Sequence, residues 1–494
     1  LLGWLFDGFE LGLFPVVARP ALIDLLGITG RPSSEQEILI ANWNGLTIAG
    51  FLVGAATGGV LFGWLGDRLG RVRAMSLSIL TYALCSGAGA ITTHPWQIVV
   101  VRFVAALGMG GEWSLGVALV MEVWAGKSRA LLAGLIGSAA NLGFALVAVI
   151  SYGIQDGFIL RALSSGMSGI GITDAWVAKL SANSAWRLLM VMGTLPALLT
   201  FFIRIFVPES QKWEDEKRRG TTSSWATQDL AGVFVGAAGG ISMLVLWSPM
   251  FGIGGMSRLF GTVIAFLVIT GGYLFPIHRY LKRSASTPEF ARQTLSRMAL
   301  GACLSGVALL GTWASIQWAT TWVDQLEGRP QAAKQYTQFC SAMGAVISSI
   351  IAPIVGDWLG RRATYVLLCL GALGATLLFY QGNTTFGPWF LISVFIAGGM
   401  TATFYGWLPL YLPELFPTRV RATGQGFSFN FGRVIAAMGA LQTASLMAIF
   451  RDVPSLKFLG EGYPLACSVM SLVYLVGLVV ICFAPETKGQ PLPE

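Results

Sequence analysis

Five charged side chains stand inside long apolar stretches: Asp7 and Glu10 in "GWLFDGFELGLF", Arg102 and Glu112 in "RFVAALGMGGEW", and Arg433 in "FSFNFGRVIAAMG". A charge at the centre of a membrane helix costs about 2.5–3.5 kcal/mol on insertion scales, so it persists only beside a partner or a water-filled cavity. Asp7 and Glu10 are three residues apart and share a helix face; in a low dielectric both cannot stay ionised, and one is expected to bind a proton. Their bland counterpart is an interfacial cluster at a helix end. Arg102 and Glu112 are ten residues apart, about 15 Å along one helix, so each needs a partner on another element. Glu112 follows Gly108, Gly110 and Gly111, which thin one helix face, and it reads equally as a proton site or a structural ion pair.

Arg433 has the sharpest chemistry. Its guanidinium is a rigid, permanently charged fork that matches a carboxylate, so in a cavity it is an anion receptor; pairing with Asp7 or Glu10 is the competing role. Asn430, one turn earlier, shares its face. In "GTWASIQWATTW" Gln317 and Thr321 form an i,i+4 polar stripe beside Trp318, and together with Tyr405 they complete a candidate substrate set. Enzyme chemistry has no support: there is no Ser/His/Asp constellation, no P-loop lysine and no metal-ligand spacing, so neither cofactor nor metal is expected. His94 and His278 sit at span ends. The six cysteines fall singly, without CxxC spacing.

The elements that must hold these residues are membrane helices. The 494-residue chain is 54% hydrophobic and 11% charged, where soluble domains are about a quarter charged, and its mean hydropathy is +0.68. No alternating strands suggest a barrel. Apolar length and Lys/Arg flanks give fourteen candidate spans, starting near Leu1, Ile40, Ala74, Trp96, Ala130, Trp186, Asp229, Arg258, Met298, Tyr336, Thr364, Pro388, Ala422 and Pro464. The first reads as a helix behind a missing cytosolic leader rather than as a signal peptide. With its start in the cytosol, the basic loops all fall inside, so the net charge of +8 is a topology signal and argues against nucleic-acid binding. Both termini are then cytoplasmic. Gly50, Gly54 and Gly58 read as a close helix-packing face.

A charged turn interrupts this pattern twice. "GWLGDRLGRVRA" from Gly63 is echoed by "GDWLGRRAT" from Gly356, which reads as an internal duplication with paired turns at the cytosolic ends of helices. The first stretch resembles the loop signature of the major facilitator superfamily. "RFVAALGMGGEW", "VPESQKW" from Val207, "LPELFPTRVRATG" from Leu412 and "PETKG" from Pro485 are similar to its sugar-porter-like branch, and the extra central hairpin to its sialic acid:proton symporter group. The resemblance implies an all-α membrane fold of fourteen transmembrane helices. Residues 1–207 form one six-helix bundle, 208–228 a cytoplasmic linker, 229–281 an extra hairpin, 282–297 a second linker and 298–494 the other bundle.

It further implies a monomeric carrier in the plasma membrane, or the inner membrane of a bacterium, with a small solute, protons and lipid as its partners. Arg102 then stands where the family couples protons, alongside Asp7, Glu10 and Glu112, with a structural ion pair as its alternative. Asp67, Arg71, Glu122 and Arg129 form a conformational latch that Asp357, Arg361, Glu414 and Arg419 repeat. The function expected first is proton-coupled symport of a small organic anion, of sialic acid or monocarboxylate type. A sugar transporter, passive or proton-coupled, and a non-transporting membrane receptor are the alternatives.

Overall fold

The computed structural model describes residues 1–123, 129–155, 157–169, 173–195, 227–283, 287–450, 462–490 and 492–493. The motif from Val207 and all but the last two residues of the linker expected at 208–228 lie outside them. The described chain is helical, with one isolated bridge between Glu327 and Thr385. Helix α1 runs Leu2–Leu25 and α2 Ser34–Leu69, the latter opened by a reciprocal cap between Ser33 and Gln36. Helices α3 (Arg71–Ala88), α4 (Pro95–Val123), α5 (Arg129–Gln155), α6 (Phe158–Gly169) and α7 (Asp174–Met192) follow. The hairpin is α8 (Leu230–Trp247) and α9 (Gly255–Arg283), its turn passing through Gly252 at φ 57°, a left-handed conformation suited to glycine.

The second half holds α10 (Pro288–Trp313), α11 (Ala333–Leu359), α12 (Arg361–Gln381), α13 (Pro388–Tyr411), α14 (Thr418–Phe450), α15 (Tyr463–Ser471) and α16 (Val473–Val480). The two charged turns have the same backbone. Gly70 lies at φ 110°, ψ 150° between α2 and α3, and Gly360 at φ 104°, ψ 161° between α11 and α12. Such angles exclude side chains that carry a Cβ, which explains why each turn contains glycine at that point. Among the described residues eleven helical stretches are long and apolar enough to cross a membrane. The other three of the fourteen expected starts fall on α1, on α14, and at Trp186 within α7, whose backbone kinks at 182–185.

Two seams join the halves: α2 packs along α14, and α5 along α11. Within the first half the α2 glycines lie directly on α4. A Cβ at Gly54 would strike the Phe103 carbonyl, one at Gly58 the Leu107 carbonyl, and one at Gly110 the Ala55 carbonyl. Backbones that approach this closely gain dispersion contacts that lipid cannot supply. The hairpin lies against α2, where the Tyr273 and Thr57 hydroxyls are 2.5 Å apart, and reaches α14, where Phe266 meets Phe431 at 5.6 Å between centroids. Its outer side exposes Phe234, Ile241, Phe260 and Leu267 as a lipid-facing surface must.

Gly58→Ala should force α2 off α4 at a cost of about 1–3 kcal/mol, seen as a lower unfolding temperature in detergent. Gly271→Ala, where an added Cβ meets no atom, should leave that temperature unchanged.

Candidate functional site

A cavity of about 140 Å³ lies between the halves. Its walls come from α1, α2, α4 and α5 on one side and from α10, α11, α13 and α14 on the other. Between α10 and α11 the chain breaks within a stretch, Pro288–Gln325, that is long and apolar enough to cross a membrane. After Trp313 it turns at Ser315 (φ −130°, ψ −84°) into a 3-10 turn, Ile316–Trp318, and a short helix, Ala319–Trp322. Non-helical backbone within a membrane-crossing stretch is tolerated where it lines a cavity or is buried in protein, and here Ser315 closes on itself by donating its hydroxyl to the Gly311 carbonyl while Tyr380 donates to the Ser315 carbonyl at 2.8 Å.

The five buried charges sort into two groups. Arg102 donates to Glu10, which also accepts from the Ser86 hydroxyl, and the guanidinium lies between the Phe14 and Phe51 rings at 5.0 and 4.9 Å. That pair is neutral in sum and set behind the cavity wall. Asp7 lines the cavity, and its carboxyl lies within hydrogen-bonding range of Glu112, which Tyr82 also faces. Among the described residues Asp7 Oδ1 and Glu112 Oε2 have no hydrogen-bond partner. Arg433 lines the same cavity within the field of Asp7. Among the described residues its one hydrogen bond runs to Asn430 Oδ1, at 2.9 Å, and it forms no ion pair.

Geometry thus redistributes the expected partners. Asp7 and Glu10 share a face of α1 but answer to different residues of α4, and the carboxylate nearest Asp7 is Glu112, not Glu10. Of the expected substrate set, Arg433, Gln317 and Tyr405 line the cavity. Asn430 sits behind Arg433, its amide donating to the Gly426 carbonyl at 2.8 Å. Trp318 is fully buried against Tyr463, 5.6 Å between centroids, and Thr321 is also buried outside the cavity wall. The break at Ser315 is the reason: Gln317 belongs to the 3-10 turn and Thr321 to the short helix, so their i,i+4 spacing does not place them on one face. Lining residues that sequence reasoning passed over include Trp113, Phe429, Asn141 and Gln338. None carries a charge, and only their position distinguishes them from packing residues.

The two ends of the molecule are held differently. At the end bearing the charged turns, the side chains of Asp67, Arg71, Glu122 and Arg419 lie outside the described residues, and Arg129 opens α5. Arg361 binds Glu414 through Nε and Nη2 at 2.9 and 2.8 Å and Asp357 at 3.0 Å, while the Thr487 hydroxyl donates to Glu414 at 2.6 Å. Glu486 accepts from the Arg361 and Arg362 amides at 2.9 and 3.1 Å, capping α12 from far along the chain. The described network therefore ties the second half to itself. At the opposite end some of the bonds cross between halves, from Arg19 to Asp324 and from Gln155 to Gln331, and others stay within one half. Arg19 pairs with Glu37 at 2.6 Å and with Asp324 at 3.2 Å, Lys334 reaches Asp324 at 2.7 Å, and Gln155 donates to the Gln331 carbonyl at 2.9 Å. Span-end charges are common in membrane proteins, and nothing in the sequence singled these out.

Two family models match the chain, one described as Major Facilitator Superfamily over residues 16–324 and one as Sugar (and other) transporter over residues 273–494. The chain is 26% identical to the "Probable 4-methylmuconolactone transporter" of Cupriavidus pinatubonensis, over 99% of this chain and 89% of that protein. It is 24% identical to the cis,cis-muconate transport protein of Acinetobacter baylyi, over 89% and 84% respectively. The proton:xylose symporter XylE of E. coli has the same fold, with a TM-score of 0.64 at 18% identity over 99% of this chain and 96% of that one.

The Glu486 cap gives a pH test. Burial alone would raise this carboxyl, but four backbone N–H groups, those of Arg361, Arg362, Lys488 and Thr487, hold it below the ordinary carboxylate range. A group depressed on folding adds stability that is present above the unfolded value of about 4.3 and is lost as pH falls through the folded value. The protection of the Arg361 and Arg362 amides, taken relative to the intrinsic exchange rate at each pH, should therefore fall on acidification. In Glu486→Gln those amides should be less protected at neutral pH and show no such step.

Proposed function

Because the chain belongs to the Major Facilitator Superfamily, whose members are membrane transporters and not enzymes, we propose that it carries a small organic anion together with a proton by alternating access. The observation that carries this reading is Arg433, buried in a cavity between the halves with no ion pair among the described residues, in the field of Asp7 and its facing carboxyl Glu112. Unspent guanidinium charge in a low-dielectric cavity is a receptor for carboxylate. Relatives named for muconate and 4-methylmuconolactone are consistent with such a solute. The fourteen-helix layout, with bundles 1–207 and 298–494, linkers 208–228 and 282–297 and hairpin 229–281, follows the sialic acid:proton symporter group in architecture.

The coupling step follows from charge. Glu10 and Arg102 cancel, leaving Asp7, Glu112 and Arg433. One proton shared by the two facing carboxyls makes that trio neutral, and a monoanion arriving at Arg433 then makes it −1 unless a second proton joins the pair. Substrate and proton thereby favour each other's binding by the same factor. Glu10 and Arg102 serve as the neutral strut that positions Asp7. The charged turns regulate opening at the cytoplasmic face, and the Arg19–Asp324–Lys334 contacts close the outward face. The protein works as a monomer, with both termini in the cytoplasm.

Proteoliposomes test the assignment. Acidifying the outside should drive uphill uptake of a carboxylate substrate by the wild type. Asp7→Asn or Glu112→Gln should abolish uphill uptake yet preserve exchange between equal pools, and uptake that still concentrates substrate in both variants would sink the proton assignment. Arg433→Lys keeps the charge and loses the fork, so affinity should fall about tenfold, equivalent to ~1.4 kcal/mol. A neutral-sugar reading draws on the sugar-transporter match over residues 273–494; it predicts no change in affinity on that substitution.

A further inference from the structure

Resting on the anion-carrier reading, we infer that the cavity selects a flat, benzoate-sized carboxylate and rejects polyhydroxylated sugar acids. Three independent features of the site point this way.

Size is the first. A cavity of about 150 Å³ holds a benzene-sized molecule, and the space here is about 140 Å³. A ring with one carboxylate fits that volume once Arg433 receives the carboxylate. A sialic acid, with its glycerol tail and N-acetyl group, far exceeds it.

Hydrogen-bonding capacity is the second. Most polar side chains on the wall have already spent their donors on the protein. Thr312, Thr320, Thr337 and Thr401 donate to the carbonyls of Ala308, Pro15, Ala333 and Ala397 at 2.9, 3.2, 2.7 and 2.8 Å. The Asn141 amide donates to the Gly137 carbonyl and to Ser349, and the Gln338 amide to the Gly12 and Phe144 carbonyls. Among the described lining residues, the donors left for a ligand are few: Arg433, Gln317, Ser341, the Tyr405 hydroxyl and the Trp4 indole. A polyol leaving water would lose hydrogen bonds that this wall cannot replace, whereas a carboxylate with an apolar body asks for one strong donor group.

Shape is the third. The Trp113 and Phe429 rings stack in parallel, 3.7 Å between centroids at 9°, and Phe51 stacks on Trp313 at 5.6 Å. The Arg433 guanidinium lies 5.1 Å from the Phe429 ring centre. The receptor for the carboxylate and a flat aromatic wall are therefore adjacent, and that wall favours a planar ligand over a puckered one of equal size.

Binding of four probes to the purified, detergent-solubilised full chain, measured by calorimetry and thermal shift, tests this: benzoate, cyclohexanecarboxylate, N-acetylneuraminate and D-xylose. Benzoate should bind at least about tenfold more tightly than cyclohexanecarboxylate, with N-acetylneuraminate and xylose weaker still. Trp113→Leu should erase the preference for the planar acid and Trp113→Phe should retain it; if the leucine variant does not fold, the wild-type order decides. N-acetylneuraminate binding as tightly as benzoate, and weakened by Arg433→Lys, would overturn the selectivity while leaving the anion site standing. Xylose binding with no response to any carboxylate would overturn both readings.

Discussion

Everything in this protein is arranged around charge that the bilayer will not solvate. Among the described residues Asp7, Glu10, Arg102, Glu112 and Arg433 are buried in or beside the cavity between the halves, and of these one acid and one base neutralise each other outright, in the Glu10–Arg102 pair. The remainder, two carboxyls facing one another across from a guanidinium, is a state that low dielectric penalises unless a proton or an anion completes it. A transporter is the kind of molecule for which such incompleteness is useful, because an incomplete site is open to a partner that comes and goes.

Close helix packing makes this placement possible. Glycines on α2 and α4 bring two backbones together, and this fixes α4, and with it Arg102 and Glu112, relative to α2. Helix α1 packs mainly on α5, with lesser contacts to α4, and spans the distance between those two charges: Asp7 and Glu10 are three residues apart, yet reach side chains ten residues apart on α4. Long side chains and antiparallel helices reconcile the two spacings. The hairpin adds a further constraint on this frame, since it touches α2 through Tyr273 and α14 through Phe266, one helix from each half along the same seam.

The two ends differ in kind. Around Asp324 the ion pair with Arg19 runs between halves while the one with Lys334 stays within the second half, whereas around Arg361 the described bonds all stay within the second half and are buttressed by Glu486 and Thr487. Among the described residues, the polar bonds that cross the seam at an end of the molecule lie at the Asp324 end, an asymmetry that accords with a rocking motion of two bundles. The "PETKG" stretch, a mere marker of resemblance in the sequence, thus has a physical role as a cap on α12.

Apolar run length, basic flanks and the repeated charged turn determined from sequence alone that this is a membrane protein of duplicated design, because hydrocarbon thickness dictates helix length and leaves a periodic imprint on composition. Sequence also identified the charges that had to be explained, since any ion in such a run is conspicuous. What it could not determine was partnership. The choice of Glu112 rather than Glu10 as neighbour to Asp7, the pairing of Arg102 with Glu10, the placing of Arg433 on the cavity wall, and the loss of the Gln317/Thr321 face to a chain break at Ser315 all depend on how helices meet. Neutral liners such as Trp113 and Asn141 are invisible for the same reason: a cavity is an absence of packing, and only the tertiary structure decides where packing stops.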